Sequence, residues 1–202
     1  IREKSKALNI RLGRLFTKKD TARLMAEMPT LDESKTAYTL LDVGAGTGIL
    51  SAALIERICK ECPKAEQIFL TCYENNEDFA DMLEDNLERI RKKARHDYGV
   101  KLFVTVYKEN YIVDAKNHAT VTFFDTVEEK YDIIIANPPT ELIEKGSGEA
   151  LSAGGVTMLK ISAAFLFARM ASRHLEEGGQ FISVLPTTYA TASQLTVLRR
   201  EM

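Results

Sequence analysis

Apolar residues fall along the chain in two alternating patterns. Short, nearly continuous apolar runs occur at TLLDV (39–43), QIFLTCY (67–73), KLFVTVY (101–107) and YDIIIA (131–136). Their length and their β-branched and aromatic content predict strands. Between them lie longer stretches with helical spacing. Residues 49–60 read as a helix, with Ile49, Ala52, Ala53, Ile55 and Ile58 among its buried candidates. A second helix is expected from about 77 to 97, with Asn76 as its cap. Its first turns carry Glu77, Asp78, Asp81, Glu84 and Asp85, and its last turns carry Arg91, Lys92, Lys93 and Arg95. Acid first and base last complements the helix dipole, so these charges require no function.

The remaining segments complete the pattern. TVTFFD (120–125) is predicted as an edge strand, GSGEALSAGG (146–155) as a flexible loop, and 158–175 as a strongly apolar helix. EEGG and a strand, QFISVLP, follow. YDIIIA is almost wholly apolar, as suits a parallel strand covered on both faces. Alternating strands and helices predict an α/β fold, a mostly parallel central sheet with helices on both faces. Ligands of such sheets bind beyond the carboxyl ends of the strands.

With 202 residues, 45% of them hydrophobic, one core and one domain are expected. Within it, residues 1–30 are expected to form a basic helical segment and residues 39–202 the α/β core. The net charge is −2, so a nucleic-acid contact would have to be local. Locality is visible at the start, where Arg2, Lys4, Lys6, Arg11, Arg14, Lys18, Lys19 and Arg23 face only Glu3 and Asp20. That segment is either a solvated basic helix or an arm facing phosphates. Three cysteines do not make a disulfide framework, and no signal-peptide or membrane-length run is present; a reducing cytoplasm is expected. Cys59 and Cys62 form a C-x-x-C before Pro63, read as incidental packing rather than a metal or redox site. The chain opens at Ile1 and stops within a helical pattern, so both ends read as cut from something longer, with no target-recognition region included.

Two stretches carry candidate chemistry. In DVGAGTG (42–48), Gly44, Gly46 and Gly48 let the backbone turn sharply between strand and helix and approach a ligand closely. Asp42 precedes the glycines, and suits an amine-directed or water-mediated contact better than a pyrophosphate cradle. Glu74 ends the second strand, where an acid can accept both ribose hydroxyls or simply cap the next helix. The other stretch is IIIANPPT (133–140). Pro138 and Pro139 fix φ and remove two backbone donors, which holds Asn137 at the end of its strand with few local partners.

Asp42, the three glycines and Glu74 resemble the S-adenosyl-L-methionine site of class I methyltransferases, which have a Rossmann-like fold. Asn137-Pro138-Pro139 resembles the (D/N/S)-P-P-(Y/F/W) motif of amino-group methyltransferases. GRLFTKKDTARLMAEM (13–28) and GGQFISVLPTTYATASQLTVLRREM (178–202) extend the likeness. Together they resemble the gamma-class adenine-N6 DNA methyltransferases of restriction–modification systems. The resemblance implies an S-adenosylmethionine-dependent enzyme that methylates adenine flipped out of double-stranded DNA, in company with a restriction endonuclease domain or subunit. It implies cofactor contacts from Phe16, Thr17, Asp42, Gly44, Ala45, Gly46, Gly48, Glu74, Asn75, Asn110, Tyr111 and Asn137. Catalysis falls to Asn137, Pro138, Pro139 and Thr140, with the Asn137 side-chain oxygen and the Pro138 carbonyl accepting from the target amine.

Two positions depart from that family. Thr140 stands where an aromatic ring stacks on the flipped base, and Tyr189 is a candidate substitute. Asn110-Tyr111 stands where Asp-Phe is usual; Asn110 is expected to accept from the cofactor adenine's amine through its carbonyl and Tyr111 to stack on the ring. Two further readings stay open: an N-P-P methyltransferase of protein glutamine or RNA guanine, and a non-catalytic cofactor-binding or specificity partner.

Overall fold

A computed structural model describes residues 17–118, 129–144, 146–152 and 162–191. β1 (Ala37–Val43), β2 (Gln67–Tyr73), β3 (Lys101–Tyr107), β4 (Tyr131–Ala136) and β5 (Leu175–Ser183) form one sheet in the order β3-β2-β1-β4-β5. Every neighbouring pair is parallel. Side chains alternate across it, as the pleat requires. Leu40, Ile68, Leu70, Ile133 and Ile135 point to a face covered by α1 (Lys19–Glu27), α2 (Ile49–Glu61) and α3 (Glu77–Tyr98). Leu41, Val43, Tyr73, Ile134 and Ala136 point to the other face, under α4 (Tyr111–His118) and α6 (Ala163–Ser172). Two shorter helices are α5 (Gly148–Ser152), which packs against α4, and α7 (Thr188–Thr191), which follows β5. No helix among the described residues is long and apolar enough to cross a membrane.

Local signals place most boundaries. Asn76 caps α3, its side chain accepting from the Phe79 N–H at 3.0 Å, as its residue type predicts. The end of α1 has no such residue of its own. Arg57 of α2 supplies the missing donors, reaching the carbonyls of Ala26 at 2.7 Å and Pro29 at 2.8 Å. Thr30 then exchanges two hydrogen bonds with the Gln180 side chain on β5. These contacts anchor α1 and the residues that follow it, and so help to position Thr17, which precedes α1.

Three expectations need adjustment. The apolar helix ends at Ser172, short of 175, because β4 recruits the next residues: the Tyr131 N–H donates to the His174 carbonyl at 2.8 Å, and Tyr131 pairs with Leu175. EEGG therefore lies within β5, where the pairing shifts register, rather than before it. The stretch 146–155, expected as loop, contains α5. The strand expected at 120–125, most of the basic N-terminal segment and Phe16 lie outside the described residues.

Candidate active site

The strand order reverses between β1 and β4, so the chain leaves their carboxyl ends in opposite directions and a crevice opens there. Leu40 pairs with Ile133 and Val43 with Ala136, so the two strands end level. The glycine turn after Val43 and Asn137-Pro138-Pro139 after Ala136 are therefore brought face to face. A Cβ built on Gly44, which has φ +73°, would lie 4.0 Å from the Pro138 Cα. The cleft has a volume of about 460 Å³. Gly44, Gly46, Glu74, Asn75, Asn110, Tyr111 and Asn137 line it, along with Pro138, Pro139 and Thr140.

The glycine turn is laced to the end of β2. The N–H groups of Gly44 and Ala45 both donate to the Tyr73 carbonyl, at 3.0 and 2.9 Å. Glu74 is 8% exposed, and its two carboxylate oxygens are shared between two loops. Oε2 accepts from the Gly46 N–H and Oε1 from the Asn76 N–H, each at 2.8 Å. Gly48 starts α2 at φ +81°, where a Cβ would come within 2.7 Å of Leu83 Cδ1. Its role is to let α2 pack on α3. Ala45 and Gly48 shape the turn and do not line the cleft.

Asp42 lies beneath the turn rather than in the cleft wall, fully buried. Its Oδ2 accepts from the Ser51 hydroxyl at 2.6 Å and from the Ser51 N–H at 3.2 Å, which ties the turn to the first residues of α2. Oδ1 is buried without a hydrogen-bond partner among the described residues. Burial pushes the carboxyl up to about 7, against the two Ser51 bonds and with a smaller push from the Glu74 charge. A carboxyl raised this way contributes stability that is present below its ordinary value of 3.8 and is lost as pH rises through about 7. Across that window the loss amounts to about 4 kcal/mol. Asp42→Asn keeps an acceptor for Ser51 and removes the titration. Its melting temperature is expected to match the wild type near pH 4 and exceed it by several degrees at pH 8. A pH-independent difference in thermal melts would show that Asp42 does not titrate in this window.

Asn137 is oriented from outside its own strand. Its Nδ2 donates to the Thr17 hydroxyl at 3.0 Å, across 120 residues of sequence. With the amide nitrogen committed there, the side-chain oxygen is the atom left to accept. The loop after the prolines is held by α6. Ser162 donates its hydroxyl to the Thr140 carbonyl at 3.0 Å, and the Ala163 N–H donates to the Glu141 carbonyl at 2.8 Å. Pro138 is buried, whereas Pro139 and Thr140 are exposed at the mouth.

Two expected contacts are placed differently. Tyr111 is 1% exposed, with its ring between Tyr73 and Phe167 and its hydroxyl 2.9 Å from His174 Nδ1. It supports the cleft floor and leaves little ring face for a ligand to stack on. The Asn110 side-chain oxygen, expected to face the cofactor, accepts from the Ile112 N–H at 3.0 Å and caps α4. Tyr189 packs on Phe165, centroids 5.6 Å apart, and does not line the cleft. Sequence reading missed Phe79, Glu109, Glu141, Glu149 and Phe167, all of which line it. Nothing local distinguishes them, since each is an ordinary helix or loop residue until the chain folds. The lining among the described residues holds Glu74, Glu109, Glu141 and Glu149 but no lysine or arginine.

A five-stranded parallel sheet carrying this cleft is the fold of class I S-adenosylmethionine-dependent methyltransferases. It superposes on one such enzyme from Listeria monocytogenes with a TM-score of 0.62 at 13% identity, covering 92% of this chain and 50% of that one. A type I restriction-modification methyltransferase subunit from Streptococcus thermophilus gives 0.61 at 19% identity, covering 92% and 38%. In sequence, the chain is similar to the Type II methyltransferase M.PstI of Providencia stuartii, 24% identical over 197 residues. That match covers 96% of this chain and 37% of the relative's length. No family model matches the sequence.

Proposed function

We propose that this chain is the cofactor-binding and catalytic domain of an S-adenosylmethionine-dependent DNA methyltransferase acting on the N6 amine of adenine in a restriction–modification system. The carrying observation is the placement of Asn137: a rigid strand-end amide, turned by Thr17 so that its oxygen is the free acceptor, beside a glycine turn and Glu74. The similarity to M.PstI supports DNA as the substrate class.

The donor set fits the cofactor. S-adenosylmethionine carries sulfonium and ammonium charges, and among the described residues the cleft offers carboxylates without a competing side-chain cation. Bound there, it supplies an electrophilic methyl group. The protein's task is to make a poor nucleophile competent, because the adenine amine shares its lone pair with the ring. The Asn137 Oδ1 and the Pro138 carbonyl accept from its two N–H groups and draw the nitrogen toward tetrahedral geometry, which frees the lone pair. Acceptors held where positive charge develops stabilise the transition state without reorganising, and rigid placement adds a proximity effect. Methyl transfer there would form the nitrogen–carbon bond as the carbon–sulfur bond breaks, with the thioether as leaving group and the amine's surplus proton passing to solvent. The base must be flipped out of the duplex to enter this cleft.

A second reading is favoured by Thr140, which is exposed at the mouth and offers no ring to a flipped base. It is methyl transfer to an amide of protein or to an RNA base. The two are separated by incubating the protein with methyl-labelled S-adenosylmethionine and plasmid DNA, RNA or protein extract. Label is expected in DNA, recovered as N6-methyladenine after digestion to nucleosides. Label confined to RNA or protein would replace the DNA reading with the second one.

A further inference from the structure

We infer that Ser162 is a positioning residue for methyl transfer, whose hydroxyl pins the far end of the Asn137-Pro138-Pro139 segment to α6 and so fixes where the Pro138 carbonyl points. Its part in turnover rests on the methyl-transfer reading above and is the same for a DNA, RNA or protein acceptor. Ser162 is 8% exposed and stands at the N-cap of α6 with extended backbone, φ −64° and ψ 137°. A serine side chain there ordinarily accepts from the first N–H groups of its helix. Ser162 makes no such bond. Its hydroxyl donates instead to the Thr140 carbonyl at 3.0 Å, across 22 residues. The next residue adds a second tie, the Ala163 N–H donating to the Glu141 carbonyl at 2.8 Å, and Leu142 forms an antiparallel bridge with Ser162.

The two prolines make such a pin necessary. Each fixes its own φ and restricts ψ of the residue before it. Asn137, Pro138 and Pro139 therefore form a stiff unit whose soft torsions lie at its ends, φ of Asn137 and ψ of Pro139. Held at one end only, a stiff unit swings as a whole and carries the Pro138 carbonyl with it. β4 holds the first end, since Ala136 pairs with both Val43 and Ser183. Burial does not hold the other, because Pro139, Thr140, Glu141 and Leu142 are all exposed. α6 does. Its Ala164, Leu166, Ala168 and Ala171 are fully buried, so the anchor is part of the core. Acceptors stabilise a transition state best when they are already in place before it forms.

The test compares Ser162→Ala and Ser162→Thr with the wild type. Methyl-labelled S-adenosylmethionine is supplied with plasmid DNA, RNA or protein extract, whichever the wild type modifies. In Ser162→Ala, kcat is expected to fall about tenfold with KM for the cofactor unchanged, since a small misplacement of reacting groups costs at least that much. Because the hydroxyl does not cap α6, thermal melting and calorimetric titration with S-adenosylhomocysteine should give wild-type values. Hydrogen exchange at the Ala163 amide, which needs no acceptor substrate, should be several-fold faster. Ser162→Thr keeps the donor and should restore both kcat and exchange. A Ser162→Ala protein with the wild-type kcat would overturn the assignment and leave the methyl-transfer reading standing. Parallel losses of stability, cofactor affinity and turnover, or a defect that threonine does not restore, would overturn it in favour of a structural role. A wild type that transfers methyl to none of the three acceptors would overturn both.

Discussion

Asn137→Ala is expected to lower methyl transfer by about a hundredfold or more, the scale for losing one preorganised polar group at a reacting centre. Cofactor affinity should stay within a few-fold, because the glycine turn and Glu74 are untouched. The structure adds a subtler companion. Thr17 accepts the Asn137 Nδ2 proton, so Thr17→Val keeps the shape and deletes the acceptor. The amide is then free to turn its nitrogen toward the target, where a donor opposes another donor. Turnover in Thr17→Val should fall about tenfold with little change in KM for the cofactor, and Thr17→Ser should restore it. Steady-state kinetics on DNA separates these outcomes. Equal loss of binding and turnover in Asn137→Ala would assign that residue a structural role instead.

Glu74→Ala should act on the other half of the site. The carboxylate is 8% exposed and accepts from two backbone N–H groups, on Gly46 and Asn76. Its removal leaves both donors unpaired and deletes the acid expected to hold the ribose hydroxyls, while Gly44 and Ala45 still tie the turn to the Tyr73 carbonyl. Hydrogen bonds to a charged group contribute about 1.5–3 kcal/mol, so binding of S-adenosylmethionine should weaken by roughly ten- to a hundredfold. The change should also appear at a distance. Burial is the main cause raising the Asp42 carboxyl and the Glu74 charge a smaller one, so in Glu74→Ala the upper end of the pH-dependent loss of stability should move slightly downward. Calorimetry with unchanged cofactor affinity would take Glu74 out of the site.

Much of the framework was legible before folding. The glycine turn, the acid at the end of β2 and the Asn-Pro-Pro step each declare themselves locally, because glycine and proline constrain the backbone at their own positions. Asn76 declared the start of α3 through its own side chain, a ready acceptor for the first turn. Where the reading failed, a distant partner intervened. The apolar helix expected to reach 175 stops at Ser172 because Tyr131 claims the His174 carbonyl. Asn110 was expected to offer its oxygen to the cofactor; it lines the cleft, and that oxygen also caps α4. Tyr111 was expected to stack on a ligand and is enclosed by Tyr73, Phe167 and His174.

By itself the sequence determined the alternation of strands and helices, through the period of its apolar positions, and marked the strand ends that meet at the cleft. Only the tertiary structure decided which atoms face the cleft. Strand order placed β1 against β4, and that single pairing set the turn after Val43 opposite Asn137. Hydrogen bonds spanning 120 and 39 residues then oriented the Asn137 amide and joined Asn110 to Glu149. Side-chain amides have two nearly isosteric orientations, and no local spacing distinguishes them. The partner does, and the fold supplies the partner.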